Sequence, residues 1–240
     1  MVSEALVTDK DGGKALLLEV ENNTAESVSV TTSGISINNL VVYDGLWSSD
    51  SLNPGTRKIL TLSLDSLLEP AFAEKCALED IGNLQLSFAA ENTDSEEIAP
   101  SKALEIILNK KAAAYDNSGD EVYNEKGVRF VSKGLLGSIN EYSNDIYLLV
   151  IIHNDTDKSI TVRDPYDALS VNGIMADYSL SSLTLEPGKS GLLDLEIYES
   201  FLSDNDISDP EDISTAQMTF SVKGEDYKDV TEAKIDLAFE

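Results

Sequence analysis

The chain is poor in the residues on which most site chemistry depends. It holds one cysteine, Cys76, which excludes an intrachain disulfide and any multi-cysteine metal site. It holds one histidine, His153, so acid–base chemistry has a single candidate of the usual type. Positive charge is scarce: 17 Lys and Arg stand against 44 Asp and Glu, a formal charge of −27. That surplus repels a phosphate backbone, which excludes nucleic acid as a partner. No apolar run approaches the ~18 residues of a membrane span. The longest, Ile146 to Ile152, has the length of a strand, so this segment itself makes no membrane contact. The Met-Val-Ser-Glu opening shows neither the basic nor the apolar region of a signal peptide. A single thiol suits a reducing cytosol and equally an exported protein that avoids disulfides, so chemistry alone leaves the compartment open. These shortages argue against an enzyme and imply no cofactor.

What the chain does have is an internal repeat. Glu21-Asn22-Asn23-Thr24 matches His153-Asn154-Asp155-Thr156, 132 positions on. Leu16, Leu18 and Val20 alternate upstream of the first as Leu148, Val150 and Ile152 do upstream of the second. Ile35, Ile37, Asn38 and Leu40 fall on Leu169, Val171, Asn172 and Ile174 at an offset of 134. Asn53-Pro54-Gly55 answers Glu186-Pro187-Gly188 at 133, and Gln85-Leu86-Ser87-Phe88 answers Gln217-Met218-Thr219-Phe220 at 132. The offset changes only between apolar segments, where loops vary.

Within the segments apolar residues recur at every second position, the period of a strand with one buried face. Asn-Asn-Thr, Asn-Asp-Thr and two Pro-Gly pairs supply the turns. A repeat of about 110 residues with seven or so strands has the size of an immunoglobulin-type antiparallel sandwich. The sequence therefore predicts an all-β chain of two tandem immunoglobulin-like sandwiches, residues 1–110 and 124–240, joined by a linker over 111–123. The first half carries a charge of −10 over 1–112 and the second −17 over 113–240. Each half also has a short helical insertion. Ser66-Leu67-Leu68-Glu69 has the form of a capping box, with Leu68, Phe72 and Cys76 on one buried helical face. The Asp-rich stretch from Phe201 to Ile213, interrupted by Pro210, predicts a shorter helix or a turn. One element lacks a partner: the strand Val128-Arg129-Phe130-Val131 maps to positions before Met1. The expected substitute is Ala5-Leu6-Val7, joined to the next strand through Asp11-Gly12-Gly13.

The sequence of a Gly-Val-x-Phe strand (Gly127 to Phe130), a strand ending in Asn-x-Thr (Asn154 to Thr156), Val171-Asn172-Gly173, Pro-Gly before a strand and Asp-Ile before the last pair resembles a known group. It is similar to immunoglobulin-like, telokin-like β-sandwich domains of secreted proteins and lipoproteins of Gram-positive gut bacteria. The likeness covers both halves; the first departs from it in lacking a clear Gly-Val-x-Phe strand and in having Asn39 where the second has Gly173. The resemblance implies an extracellular or cell-surface protein, anchored by a segment outside this sequence. It implies a structural spacer, or alternatively an adhesion or binding module for a glycan or protein ligand. It lends no catalytic residue.

The residues themselves offer few sites. His153 and Cys76 fall in different halves, so no Cys-His dyad forms, and His153 reads as an edge or surface residue beside a turn. Close carboxylate pairs follow from 44 acidic residues and read as a solvated face. Oxygen ligands crowd Asp116 to Glu121 and Asp204 to Asp212, yet neither run fits the spacing of a calcium loop, so no metal is expected. Trp47, near Tyr43, is read as half-buried packing, with a speculative sugar-stacking platform at Tyr43 and Trp47 as the alternative. Asn22 and Asn154 occupy equivalent turns and read as turn residues.

Overall fold

The structure, a computed structural model, describes residues 3–10, 12–43, 47–65, 67–109, 114–139, 142–165 and 168–239; of residues 3, 43 and 100–102 it describes the backbone. It is almost wholly β-structure, arranged in several antiparallel sheets. The chain divides into two compact units, Met1–Ala114 and Tyr115–Glu240. Among the described residues no helix is long and apolar enough to cross a membrane.

Unit 1 contains β1 (Ser3–Thr8), β2 (Lys14–Glu21), β3 (Val28–Ile37), β4 (Leu40–Tyr43), β5 (Trp47–Ser48), β6 (Arg57–Ser63), α1 (Pro70–Lys75), β7 (Asn83–Asn92) and β8 (Glu97–Ile107). One sheet is β1-β2-β6. The other runs β8-β7-β3, with β4 and β5 pairing with β3 as well. The alternation read from the sequence selects the inward face: Leu16, Leu18 and Val20 on β2 are buried, as are Leu84 and Leu86 on β7. β1 takes the predicted place of a first strand, and the chain turns back into β2 between Thr8 and Lys14.

Unit 2 contains β9 (Asp120–Glu125), β10 (Val128–Leu136), β11 (Ile146–Asn154), β12 (Ile160–Arg163), β13 (Leu169–Val171), β14 (Ile174–Met175), β15 (Tyr178–Leu180), β16 (Leu183–Leu185), β17 (Ser190–Ile197), α2 (Glu199–Asp204), a 3-10 turn (Pro210–Asp212), β18 (Thr215–Gly224) and β19 (Asp229–Ala238). One sheet runs β9-β10-β11-β17-β15. In the other, β18 pairs with β12, β13 and β19, while β16 extends β12 and β14 extends β13. The sheets meet through Phe130 of β10 and Phe220 of β18, ring centroids 5.2 Å apart.

The repeat holds in the pairing register. Val30–Ala90 and Ser36–Gln85, between β3 and β7, recur as Val162–Val222 and Ser170–Gln217. The step in offset from 132 to 134 falls where the long β3 is replaced by two strands, β12 and β13. Val20 opposite Lys58 recurs as Ile152 opposite Gly191. The turn at Asn38-Asn39 (φ 50° and 70°) has the same left-handed pair of residues as Asn172-Gly173 (φ 50° and 80°). Asn39 thus keeps the conformation in which glycine is favoured, because Asn is among the few L-residues that tolerate it.

Three local expectations need correction. The first helix begins at Pro70 rather than at the capping box, since Pro at the first helical position needs no donor and is already set to helical φ. Ser66 lies outside the described residues, and Glu69 caps without a side-chain hydrogen bond. α2, expected to be shorter, is six residues long, as α1 is; Pro210 instead starts the 3-10 turn beyond it. Residues 120–123 of the expected linker belong to β9, which pairs with β10 across a Lys126-Gly127 turn with φ of 53° and 76°.

Candidate functional site

Burying a polar side chain without partners is costly, so each buried one must find its hydrogen bonds within the fold or mark a site. Asn154 is fully buried. Its amide donates to the carbonyls of Lys158 and Leu185, both at 2.8 Å, and its Oδ1 accepts from Thr156 N at 3.0 Å and Thr156 Oγ1 at 2.7 Å. Asn22 repeats the arrangement with Glu26 O (2.8 Å), Leu52 O (2.9 Å), Thr24 N (2.9 Å) and Thr24 Oγ1 (2.8 Å). Both act as the turn residues the sequence suggested. Asn38 and Asn172 form a second matched pair. Asn38 donates to Asp80 O at 2.9 Å and accepts from Gly82 N at 2.7 Å; Asn172 donates to Asp212 O and accepts from Ser214 N, both at 2.9 Å. All four side chains spend their capacity on nearby backbone groups and on the hydroxyls of Thr24, Thr156 and Ser214.

His153 is not at an edge or on the surface. It lies on β11 between Arg129 of β10 and Ser190 of β17, 5% exposed. Every residue of β11 is buried, so the unbroken apolar run from Ile146 to Ile152 marks a central strand covered on both faces. Ser190 Oγ sits 2.7 Å from His153 Nδ1. Burial, reinforced by Arg129, lowers the imidazole pKa from its usual value against the opposing pull of Asp155 and Glu121. Cys76 is fully buried in unit 1 at the end of α1, on the face it was expected to share with Leu68 and Phe72.

The acidic runs are engaged locally. Asp116 meets Lys133 Nζ at 2.8 Å and accepts from Ser118 N and Oγ, both at 2.9 Å. These bonds, the lysine's first, hold its carboxyl far below the usual carboxylate range. Asp212 accepts from Ser208 N at 2.8 Å and Asp209 N at 3.1 Å, which lowers its pKa as well. Among the described residues no three His, Cys, Asp or Glu side chains gather as a metal-binding set. Trp47 is half-buried on β5 opposite Thr32, while the Tyr43 backbone lies opposite Ile35. The Tyr43 side chain and residues 44–46 lie outside the described residues, and with them the Tyr43–Trp47 platform.

A feature the sequence reading did not name is a cavity of about 510 Å³ in unit 1. Leu18, Val20, Val28, Phe88, Ile98 and Leu104 supply most of its apolar wall. At the corresponding end of unit 2 the interior beside Phe220 is filled by Phe130, fully buried, 5.2 Å from Phe220 and 5.6 Å from Tyr123 of β9, and a hollow of about 520 Å³ lies farther out among the mostly polar turn residues Thr156, Asp157, Lys158, Glu225 and Asp226. Tyr123 Oη lies 2.6 Å from Thr231 Oγ1 on β19, tying β9 across to the second sheet. Phe88, the equivalent of Phe220, is only half-buried.

No family model and no curated protein matches the chain. Among solved structures it is similar to the exo-chitosanase CsxA of Amycolatopsis orientalis at 9% identity and TM-score 0.28, covering 98% of this chain and 26% of that one. The chain thus spans about a quarter of that enzyme. The YadV chaperone aligns at 8% identity and TM-score 0.27, over 93% of this chain and 92% of the chaperone. A bacterial ice-binding adhesin aligns at 11% identity and TM-score 0.23, over 94% and 56%. Likenesses at this level fix neither fold nor activity.

Proposed function

We propose that the chain is a non-catalytic module of two immunoglobulin-like sandwiches in tandem, acting as a structural spacer outside the cell or on its surface. The observation that carries this reading is the double use of one frame. In both units a first strand, β1 or β10, precedes β2 or β11, which pairs with β6 or β17. The opposing sheet joins β3 to β7 and β8, or β12 and β13 to β18 and β19. This order supports reading each unit as an immunoglobulin-like sandwich. The buried asparagines hold the same turns in each copy, so polar chemistry serves the frame rather than a reaction. Cell-surface placement follows the resemblance to domains of Gram-positive gut bacteria, and nucleic acid is kept away by the charge of −27.

Mechanical unfolding of the single chain tests the spacer. Two steps are expected, each releasing roughly 300–400 Å of chain, as about 110 extended residues would. One step, or loss of force resistance below that of other sandwiches, would sink the reading. A binding role is the second reading, with a protein rather than a glycan as ligand. The cavity of unit 1 favours it, because its wall is largely apolar and holds a half-buried Phe88.

A further inference from the structure

We propose that residues 115–119 form a strap that peels from unit 2 under tension, lengthening the chain before either sandwich opens. Lys133 is its clip and β9 is its stop. The inference rests on the spacer reading, since only a chain that carries load would use such an element.

Load that reaches unit 2 along the chain from unit 1 enters at Tyr115, the first residue of the unit. From there to Gly119 the chain forms neither helix nor strand, and it is held from β10. The Lys133 ammonium donates to Asp116 Oδ2 and to Ser118 O, both at 2.8 Å, and to Asp116 O at 3.3 Å, so each of its three protons has an acceptor in the strap. The lysine side chain is 5% exposed. Lys133 is the residue passed over where the β10–β11 register shifts between Ser132 and Gly134, and a bulge of this kind re-aims a side chain. It lies one residue beyond the last β9–β10 pair, Ser132 opposite Asp120, so the clip acts on chain that no ladder holds. Gly119 seats the strap on β10: at its φ of 147° a Cβ would come within 2.3 Å of Ser132 O and 2.9 Å of Val131 Cγ1.

Tension meets these attachments one after another. The clip yields first, because peeling takes the Lys133 ammonium and the Asp116 carboxylate into water together; neither is left as a buried, unpaired charge, and the lost bonds are exchanged for bonds to water. β9 resists more. It pairs with β10 from Glu125 opposite Val128 to Asp120 opposite Ser132. Its Tyr123 packs edge-on against Phe130, centroids 5.6 Å apart, and the Tyr123 hydroxyl lies 2.6 Å from Thr231 Oγ1 on the opposing sheet. Peeling therefore stops at Asp120, and residues 115–119 add up to roughly 17 Å of extension. Asp116 accepts from Ser118 N and Oγ, both at 2.9 Å. That local turn keeps the strap shaped for Lys133, so the clip can close again when the load falls.

The test holds the full chain between handles in magnetic tweezers. Below the unfolding force a reversible hop of roughly 15 Å is expected, followed at higher force by the two large steps. Lys133→Met keeps the apolar stem and removes the ammonium; it should abolish the hop and leave the force of both large steps unchanged. Gly119→Ala, which drives a methyl group into Ser132 O, should do the same by a different route. Without force, amide order parameters over residues 115–119 should fall from about 0.85 to below about 0.6 in either variant. The Asp116 carboxyl, held far below the usual carboxylate range by Lys133 first, should move back toward that range in Lys133→Met. No hop in the unaltered chain, or a hop that persists in Lys133→Met, would overturn the proposal. So would a Lys133→Met fall in the unfolding force or melting temperature of unit 2, which would make the strap part of the sandwich's own frame. Two large steps without a hop would leave the spacer reading standing and remove only the strap; a single large step would remove that reading first.

Discussion

Replacing Asn154 by Ala removes four hydrogen bonds at a fully buried position, and replacing Asn22 by Ala removes the same four in the other repeat. The groups left behind are not equally costly. Thr24 and Thr156 sit in turns and their freed donors can reach water, as can the carbonyls of Glu26 and Lys158. The carbonyls of Leu52 and Leu185 cannot, since those residues are almost fully buried. Leu52 O keeps the amide of Val28 at 3.0 Å, so each of these carbonyls loses one partner rather than all. With one buried bond lost outright and the rest exchanged for water, each substitution should cost about 2 kcal/mol, within roughly 1–3. For units of this size that is a fall of about 8 °C in melting temperature. Asn154→Asp should cost more than Asn154→Ala, because a carboxylate oxygen would face two carbonyl oxygens without a proton between them.

The repeat supplies its own control. Trp47 is the only tryptophan and belongs to unit 1, so its fluorescence follows that unit while far-ultraviolet circular dichroism follows both. Asn22→Ala should move the fluorescence transition in denaturant; Asn154→Ala should move the dichroism and leave the fluorescence midpoint in place. A loss below about 0.5 kcal/mol at both sites would refute the turn role, and losses differing by more than about 1 kcal/mol would refute the equivalence of the two turns.

Phe130→Ala should destabilise unit 2 by about 3–5 kcal/mol in denaturant titrations, the cost of emptying a buried aromatic site, whereas Phe88→Ala in the open unit 1 should cost clearly less; equal losses would contradict the difference in closure. The single His153 resonance should titrate below the usual imidazole value. Because the unfolded chain then binds the proton first, this residue's share of stability should decline as pH falls from 7 through the unfolded value, and His153→Gln should flatten that slope; a midpoint at or above 6.5 would be the contrary result. Calcium and magnesium at equal ionic strength should give the same melting temperature in the EDTA-stripped protein, since Asp116 is held by Lys133 and Ser118; a rise of several degrees with calcium alone, abolished by Asp116→Ala or Asp204→Ala, would establish a calcium site.

The repeat was legible because it is written in two signals that local physics enforces: alternate apolar positions, and turn residues that no other side chain replaces cheaply. Asn22 and Asn154 could be read as turn residues because their spacing to Thr24 and Thr156 is the spacing of the hydrogen bonds they make. The burial of His153 was not legible. Alternation identifies one inward face, but whether the other face is covered depends on tertiary packing, and only the unbroken Ile146–Ile152 run hinted that β11 is covered on both. The start of α1 was misread because the Ser-x-x-Glu pattern and Pro70 compete as starting signals, and proline's fixed φ prevails. β9 was taken for linker because Asp120 to Glu125 is polar; its pairing is carried by backbone and by Tyr123 alone among its aromatic residues.

Where the copies agree they hold the frame, so their divergences are where separate roles can reside, and these divergences run in one direction. At Gly191 a Cβ would come within 2.7 Å of Leu185 and 2.8 Å of Leu183, so the absence of a side chain lets those leucines close over β17. The equivalent residue in unit 1 is Lys58, whose ammonium reaches Asp50 at 3.2 Å. Thr231 anchors Tyr123 in unit 2, and Ala99 offers no such anchor in unit 1. Phe130 packs against Phe220 in unit 2, whereas Phe88, the equivalent of Phe220, is only half-buried in unit 1. These substitutions pack leucine and aromatic side chains more tightly in unit 2 than at the equivalent positions of unit 1, so the two copies should differ in local stability at this end of the sandwich.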